Sequence, residues 1–160
     1  MDRAQLLAFL RTQYLAVLAS RGPDGAPQAA VVGIAVGDEL EIVFDTLDSS
    51  RKARNVRADP RVALTLGGLA PGEERTVQYE GVADEPTGPE LDRVRELYFE
   101  VFPDGRERLA SWAGLIHVRV RPTWIRYSDF NRTPPAIVEF SGTDLLSPRP
   151  DLPPGAGDQR

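Results

Sequence analysis

The chain has 160 residues, 41% of them hydrophobic and 27% charged, with a net charge of −5 and no cysteine. That length and balance fit one globular domain that buries roughly two thirds of the surface its unfolded form exposes. They exclude a disulfide, a thiolate metal site and a thiol nucleophile, and the acidic balance argues against general nucleic-acid binding, which wants a basic face.

Asp2 is placed to cap a short helix with Leu6, Leu7 and Leu10 on one face. Tyr14 to Ala19 reads as a strand, ended by a hairpin loop around Asp24-Gly25. A second strand is expected from Gln28 to Val36 and a third from Leu40 to Thr46, where Leu40, Ile42 and Phe44 alternate with Glu39, Glu41 and Val43. Short turns between the three predict an antiparallel meander, since parallel neighbours need long crossovers. Ser50 then caps a short helix to Ala58, stopped by Pro60, and Arg61 to Leu66 returns to strand. After a Gly- and Pro-rich loop, Thr76 to Ala83 is a strand. Thr87-Gly88-Pro89-Glu90 has capping-box spacing, and Leu91, Val94, Leu97, Tyr98 and Val101 give the following helix its apolar stripe. A short helix or loop through Trp112 precedes strands at Leu115 to Val120 and Trp124 to Tyr127. Six of the fourteen prolines lie from Pro134 onward, which predicts a domain over 1–133 and a partly extended or disordered arm over 134–160. The expected class is mainly β, in the α+β sense, with short strands closing on a small barrel.

Chemistry concentrates where the third strand meets the second helix. Thr46 and Ser50 offer hydroxyls, and Arg51, Lys52, Arg54, Arg57 and Arg61 face only the carboxylate of Asp59 within that stretch. A helix start has free N–H groups and a positive dipole end, so this junction suits an anion before any side chain helps. Lys52 is the only lysine among nineteen cations, and a compact ammonium beside a forked guanidinium is a useful pair at a phosphate. Solvated basic helix faces are also common, and a Ser at a helix start is often just a cap. There is no Walker loop and no G-x-G-x-x-G run. Metal-binding spacings such as H-x-x-x-H are absent too. The single histidine, His117, reads as a partly exposed strand residue rather than a base, and nothing in the spacing favours a Ser-His-Asp triad.

The run Phe44-x-Thr46-x-x-x-Ser50-Arg51-Lys52, followed by Asn55, Pro60-Arg61-Val62 and Leu64, resembles the signature of the pyridoxamine 5'-phosphate oxidase-like, flavin-binding split-barrel superfamily. Arg75-Thr76-Val77-Gln78-Tyr79-Glu80-Gly81 is similar to its R-x-V-x-x-E-G strand. The resemblance implies a six-stranded antiparallel split β-barrel of Greek-key connectivity with short flanking helices, paired as a homodimer with flavin between subunits. It implies that Thr46, Ser50, Arg51 and Lys52 hold the phosphate and ribityl chain of FMN. Val31 and Val32 would then line the isoalloxazine, Thr76 would stand where a glutamine often reaches the flavin, and Trp124 would lie near the cofactor. The R-L-H-D-R-type segment that grips the vitamin substrate is missing; Trp124 to Asp129 stands in its region.

The expected function is therefore an FMN-dependent oxidoreductase acting on a small molecule other than pyridoxamine 5'-phosphate. A deazaflavin-dependent reductase of the same fold and a non-enzymatic flavin carrier are the alternatives. Phe102, Trp112, Trp124, Tyr127 and Phe130 are candidates for an apolar substrate wall, or for core. No run approaches the roughly 18 apolar residues of a membrane span. The charged opening MDRAQLLAFLRT does not read as a signal peptide, so the expected location is the cytoplasm.

Overall fold

Alternating apolar residues become one antiparallel sheet in the computed structural model, which describes residues 1–68 and 70–146. Its strands are β1 (Leu15–Arg21), β2 (Pro27–Gly33), β3 (Ala35–Val36), β4 (Ile42–Leu47), β5 (Arg61–Gly67), β6 (Arg75–Asp84), β7 (Leu115–Asp129) and β8 (Ala136–Ser141). The helices are α1 (Arg3–Leu10), α2 (Arg51–Ala58), α3 (Gly88–Val101) and α4 (Gly105–Ser111), with a 3-10 turn at Gly142–Leu145.

Hydrogen bonding runs in the order β2-β1-β5-β6-β7-β4-β3, with β8 added outside β7. The path starts and ends on one stretch of chain. The single strand expected from Gln28 to Val36 is thus broken at Ile34, giving one half to β1 and the other to β4. Counting β2 and β3 as that one strand, the ring has six: β1, β2/β3, β4, β5, β6 and β7. Two meanders, β1 to β4 and β5 to β7, meet antiparallel at β1–β5 and β4–β7. The connection from the first meander to the second is α2. The sheet curls as a split barrel, the class the alternation and the family signature predict.

Inside lie Leu18, Val32, Phe44, Leu64, Val77, Tyr79, Val118 and Val120, closed off by Leu6 and Leu10 of α1. The Tyr79 hydroxyl is shared between the carbonyls of Leu40 (3.0 Å) and Val120 (2.9 Å), which satisfies a buried donor in the middle of that core. Outside the barrel, α3 lays Val94, Tyr98 and Phe99 over Ala35 and Val43.

That covering layer corrects the reading of the third strand. Glu41 and Val43 are buried along with Ile42 and Phe44, because α3 and its arginines hide the outer face. The strand begins at Ile42, and Leu40 turns the chain with a φ of 62°. The two strands expected at Leu115–Val120 and Trp124–Tyr127 are one continuous β7. Pro122 is tolerated because the register against β6 shifts between Glu80 and Gly81, which leaves Thr123 out of the pairing. Gly81 is required there, since a Cβ would stand 2.5 Å from the Arg121 carbonyl.

The capping box expected at Thr87 does not form: its side chain makes no cap bond, and the Glu90 carboxylate is drawn to Arg119 (2.7 Å) and Arg93 (3.2 Å) instead. A capping box does form at Asp2 and Gln5. Beyond 133 the chain continues the sheet as β8, and Phe140 and Leu145 enter the barrel core. Residues 147–160 lie outside the described residues.

Candidate anion cleft

The β4–α2 junction is built by hydroxyls. Ser50 caps α2 by accepting the Ala53 N–H at 3.1 Å, and Thr46 Oγ1 donates to Ser50 Oγ at 3.0 Å. Thr46 is buried at the inner end of β4. The loop is tied to the start of β7 by the Asp48 N–H, which donates to the Gly114 carbonyl at 2.7 Å. The sequence-level choice between phosphate ligand and mere cap is thereby partly answered: Ser50 is a cap, and its oxygen accepts twice.

Of the five cations from Arg51 to Arg61, three are already engaged. Arg57 pairs with Asp48 and Glu85, Arg61 grips Asp59 with two nitrogens, and Arg54 donates to the Ser49 carbonyl at 2.7 Å. The hydrogen bonds from Arg61 hold the Asp59 carboxyl well below the usual carboxylate range. Arg51 and Lys52 make no ion pair or side-chain hydrogen bond with any described residue. They are also the two nearest the positive end of the helix.

Both line a cleft of about 320 Å³ between α2 and the β1–β2 hairpin. Leu18, Ala29 and Ala30 give it an apolar floor, and Ser20, Gln28 and Asn55 a polar wall. Asn55 follows Lys52 by three residues and Arg51 by four, one helix face, so helical spacing alone was enough to find it. Ser20 and Gln28 had no local signal, because they arrive by strand pairing.

Of the expected ligands only Arg51 and Lys52 line this cleft; Thr46 and Ser50 stand at the helix start outside its lining, and the rest lie elsewhere. Val31 and Val32 point to opposite faces of β2. Val31 is 64% exposed on the outside, whereas Val32 is in the barrel core and has only its backbone to offer an outer ligand. Thr76 pairs with Gly67 and Ser128, far along β6. That is about five residues further along the sheet than Ser20, or roughly 16 Å at strand rise. Trp124 is half-buried between Glu80 and Ser141.

His117 is not the partly exposed residue its strand position suggested. It is 2% exposed, with Tyr98 and Phe99 edge-on to its ring at 5.3 and 5.6 Å and neither nitrogen hydrogen-bonded among the described residues. Burial pushes it down to about 4. No group of three or more His, Asp or Glu residues able to hold a metal occurs among the described residues, and no described helix is long and apolar enough to cross a membrane.

Six antiparallel strands, a crossover helix and two uncommitted cations at its start define a split-barrel protein with a candidate anion cleft. Residues 3–128 match the model of the family described as Pyridoxamine 5'-phosphate oxidase, and the chain belongs to that family. A pyridoxine/pyridoxamine 5'-phosphate oxidase from Rubrobacter xylanophilus is 40% identical over 99 residues, 61% of this chain but 42% of that protein. The match thus spans less than half of the relative. Among solved structures, a heme binding protein from Mycobacterium smegmatis matches with a TM-score of 0.74 at 19% identity, covering 90% of this chain and 58% of the other. A pyridoxamine 5'-phosphate oxidase-related, FMN binding protein from Nostoc punctiforme matches with a TM-score of 0.64 at 13% identity, covering 86% and 84%. At those identities the two structures speak for the fold alone.

Proposed function

We propose that this chain is a flavoprotein that holds the FMN phosphate in the cleft between α2 and the β1–β2 hairpin and acts as an oxidoreductase on a small molecule. The observation that carries this reading is the pair Arg51 and Lys52, free of carboxylates at a helix start whose other cations are all engaged. Such a pair at the positive end of a helix is placed to receive an anion. The bound isoalloxazine would supply hydride or electron exchange. The chain's own residues would grip the phosphate, present an apolar outer strand to the ring, and fix the cofactor's place. That division of labour matches a family member with no conspicuous acid–base residues at the cleft.

The outer faces of β2, β1 and β5 support a paired assembly. Ala29 and Val31, then Leu15, Val17 and Ala19, then Ala63 and Thr65 lie side by side there without a charge. Val31 and Leu15 are 64% and 57% exposed. A row of this kind, which shares Ala29 with the cleft, suits burial against a second copy with the flavin between them, and it gives the distant Thr76 end a part to play in the partner's site. A cytoplasmic homodimer is the form proposed. Vitamin phosphate oxidation is not part of the proposal, since Trp124 to Asp129 carries no histidine.

Heme fits the residues less well: there is no cysteine, and the sole histidine is walled in beneath α3. Reconstitution tests the choice. FMN should give a two-band flavin spectrum on the protein, against the single band of a deazaflavin or the Soret band of heme. Arg51→Ala with Lys52→Ala should weaken FMN binding by about 3 to 6 kcal/mol, from two charge-assisted contacts, and leave riboflavin binding nearly as it was. Equal FMN affinity in that variant would remove the assignment.

A further inference from the structure

The wall of the cleft behind the two cations is a hydrogen-bonded run of amide and hydroxyl groups. Asn55, 2% exposed, spends both hydrogens of its Nδ2 inside the protein, on Ser20 Oγ at 3.0 Å and on Gln28 Oε1 at 2.9 Å. Ser20 Oγ is therefore an acceptor towards Asn55, and its own hydrogen is left over. Among the described residues that hydrogen has no acceptor, although Ser20 is only 8% exposed and lines the cleft shared by Arg51 and Lys52. A buried hydroxyl rarely wastes its donor.

Ser50, the cap at the start of α2 and outside the cleft lining, shows the same pattern. Its oxygen accepts from Thr46 Oγ1 and from the Ala53 N–H, so its hydrogen is also uncommitted. Two hydroxyls thirty positions apart in sequence are thus each reduced to donors by a neighbour that gives to them. Donors without acceptors, beside cations without carboxylates, ask for an oxyanion.

We propose that Ser20 is a direct ligand of the anion, its hydroxyl donating to a phosphate oxygen held by Arg51 and Lys52, with Asn55 as the positioning residue that sets the direction of the bond. The ligand class is a phosphate monoester, and the proposal rests on the reading of the cleft as the FMN phosphate site. Asn55 reaches Ser20 across 35 positions of chain, so the bond also locks the β1–β2 hairpin to the helix that carries the cations.

The test compares FMN with riboflavin, which lacks the phosphate, by quenching of flavin fluorescence on titration with full-length protein. Ser20→Ala should lose about 10- to 100-fold in FMN affinity, the range for a hydrogen bond to a charged acceptor, with riboflavin affinity unchanged. Ser20→Thr, which keeps the hydroxyl, should restore most of the loss. Ser20→Cys, of similar size but a weak donor, should fall between and serves if the alanine variant folds poorly. If Ser20 only braces Asn55, the alanine variant will weaken both ligands alike or lower the melting temperature with FMN preference intact, and either result overturns the proposal. If the unaltered protein binds FMN no tighter than riboflavin, the cofactor reading fails first and the role of Ser20 falls with it.

Discussion

His117 is a polar ring kept in an apolar place. Its nitrogens are unbonded, Tyr98 and Phe99 close over it, Asp45 stands opposite on β4, and Arg95 and Arg108 approach from α3 and α4. Asp45 is itself satisfied by Tyr98 Oη at 2.9 Å and by Arg108 at 3.2 Å, so it does not neutralise the imidazolium. Desolvation wins over the nearby carboxylate, and the folded-state pKa falls to about 4. Because the folded value is depressed, the neutral ring's contribution is whole above the unfolded value, about 6.5, and is lost progressively as pH falls towards 4. The loss should amount to roughly 3 kcal/mol across that window. His117→Leu should keep its stability at pH 7, since no hydrogen bond is broken, and should flatten that part of a urea-denaturation pH profile. A profile as steep as that of the unaltered protein would point to another group. Strand periodicity placed His117 on the outward face of β7, but only the packing of α3 decides that this outward face is dry.

Among the elements, α2 was the most legible. Ser50 at the cap and Pro60 two residues past the end mark its limits, and the helix observed, Arg51–Ala58, agrees with both. Its chemistry was legible as well, because hydroxyls and cations are neighbours in sequence. What the order of residues did not reveal was which cations remain available: Arg57 meets Glu85 from the end of β6, and that pairing depends on the barrel closing. The C-terminal strand shows the opposite case. Its proline-rich setting suggested an arm, but Ala136–Ser141 pairs with β7 from Asp129 back to Trp124, and Phe140 lies against the core. If β8 is a working part of the domain, Phe140→Ala should destabilise it by about 3 to 5 kcal/mol, the usual cost of emptying a buried phenyl site. Chemical denaturation measures this directly, and a change below about 1 kcal/mol would make β8 a passive addition.

At the scale of the whole molecule, the barrel closes through one interrupted strand, β2 and β3, so that a single turn of chain at Ile34 joins both edges of the sheet. That closure protects most strand edges and leaves the apolar outer faces of β2, β1 and β5 turned away from the core, with Ala29 alone shared between that row and the cleft. If the proposed pairing uses these faces, Leu15→Glu should hold the protein as a monomer in light scattering, because a charge would have to be buried in the contact. FMN affinity should fall with it if the ring is covered by the second copy. A dimer of undiminished stability in that variant would place the contact elsewhere.

The sequence by itself determined the strand-rich class, the meander order, the limits of α2 and the hydroxyls and cations gathered at its start. Each of these follows from local rules: alternation, turn composition, capping and the adjacency of charges in the chain. Tertiary structure alone decided that Arg51 and Lys52 are uncommitted while Arg57 is drawn to Glu85, that Ser20 and Asn55 meet behind them, and that His117 is sealed under α3. Those outcomes depend on side chains brought together from strands and helices far apart in the sequence, and neither exposure nor a hydrogen-bond partner is encoded at the position where it is read.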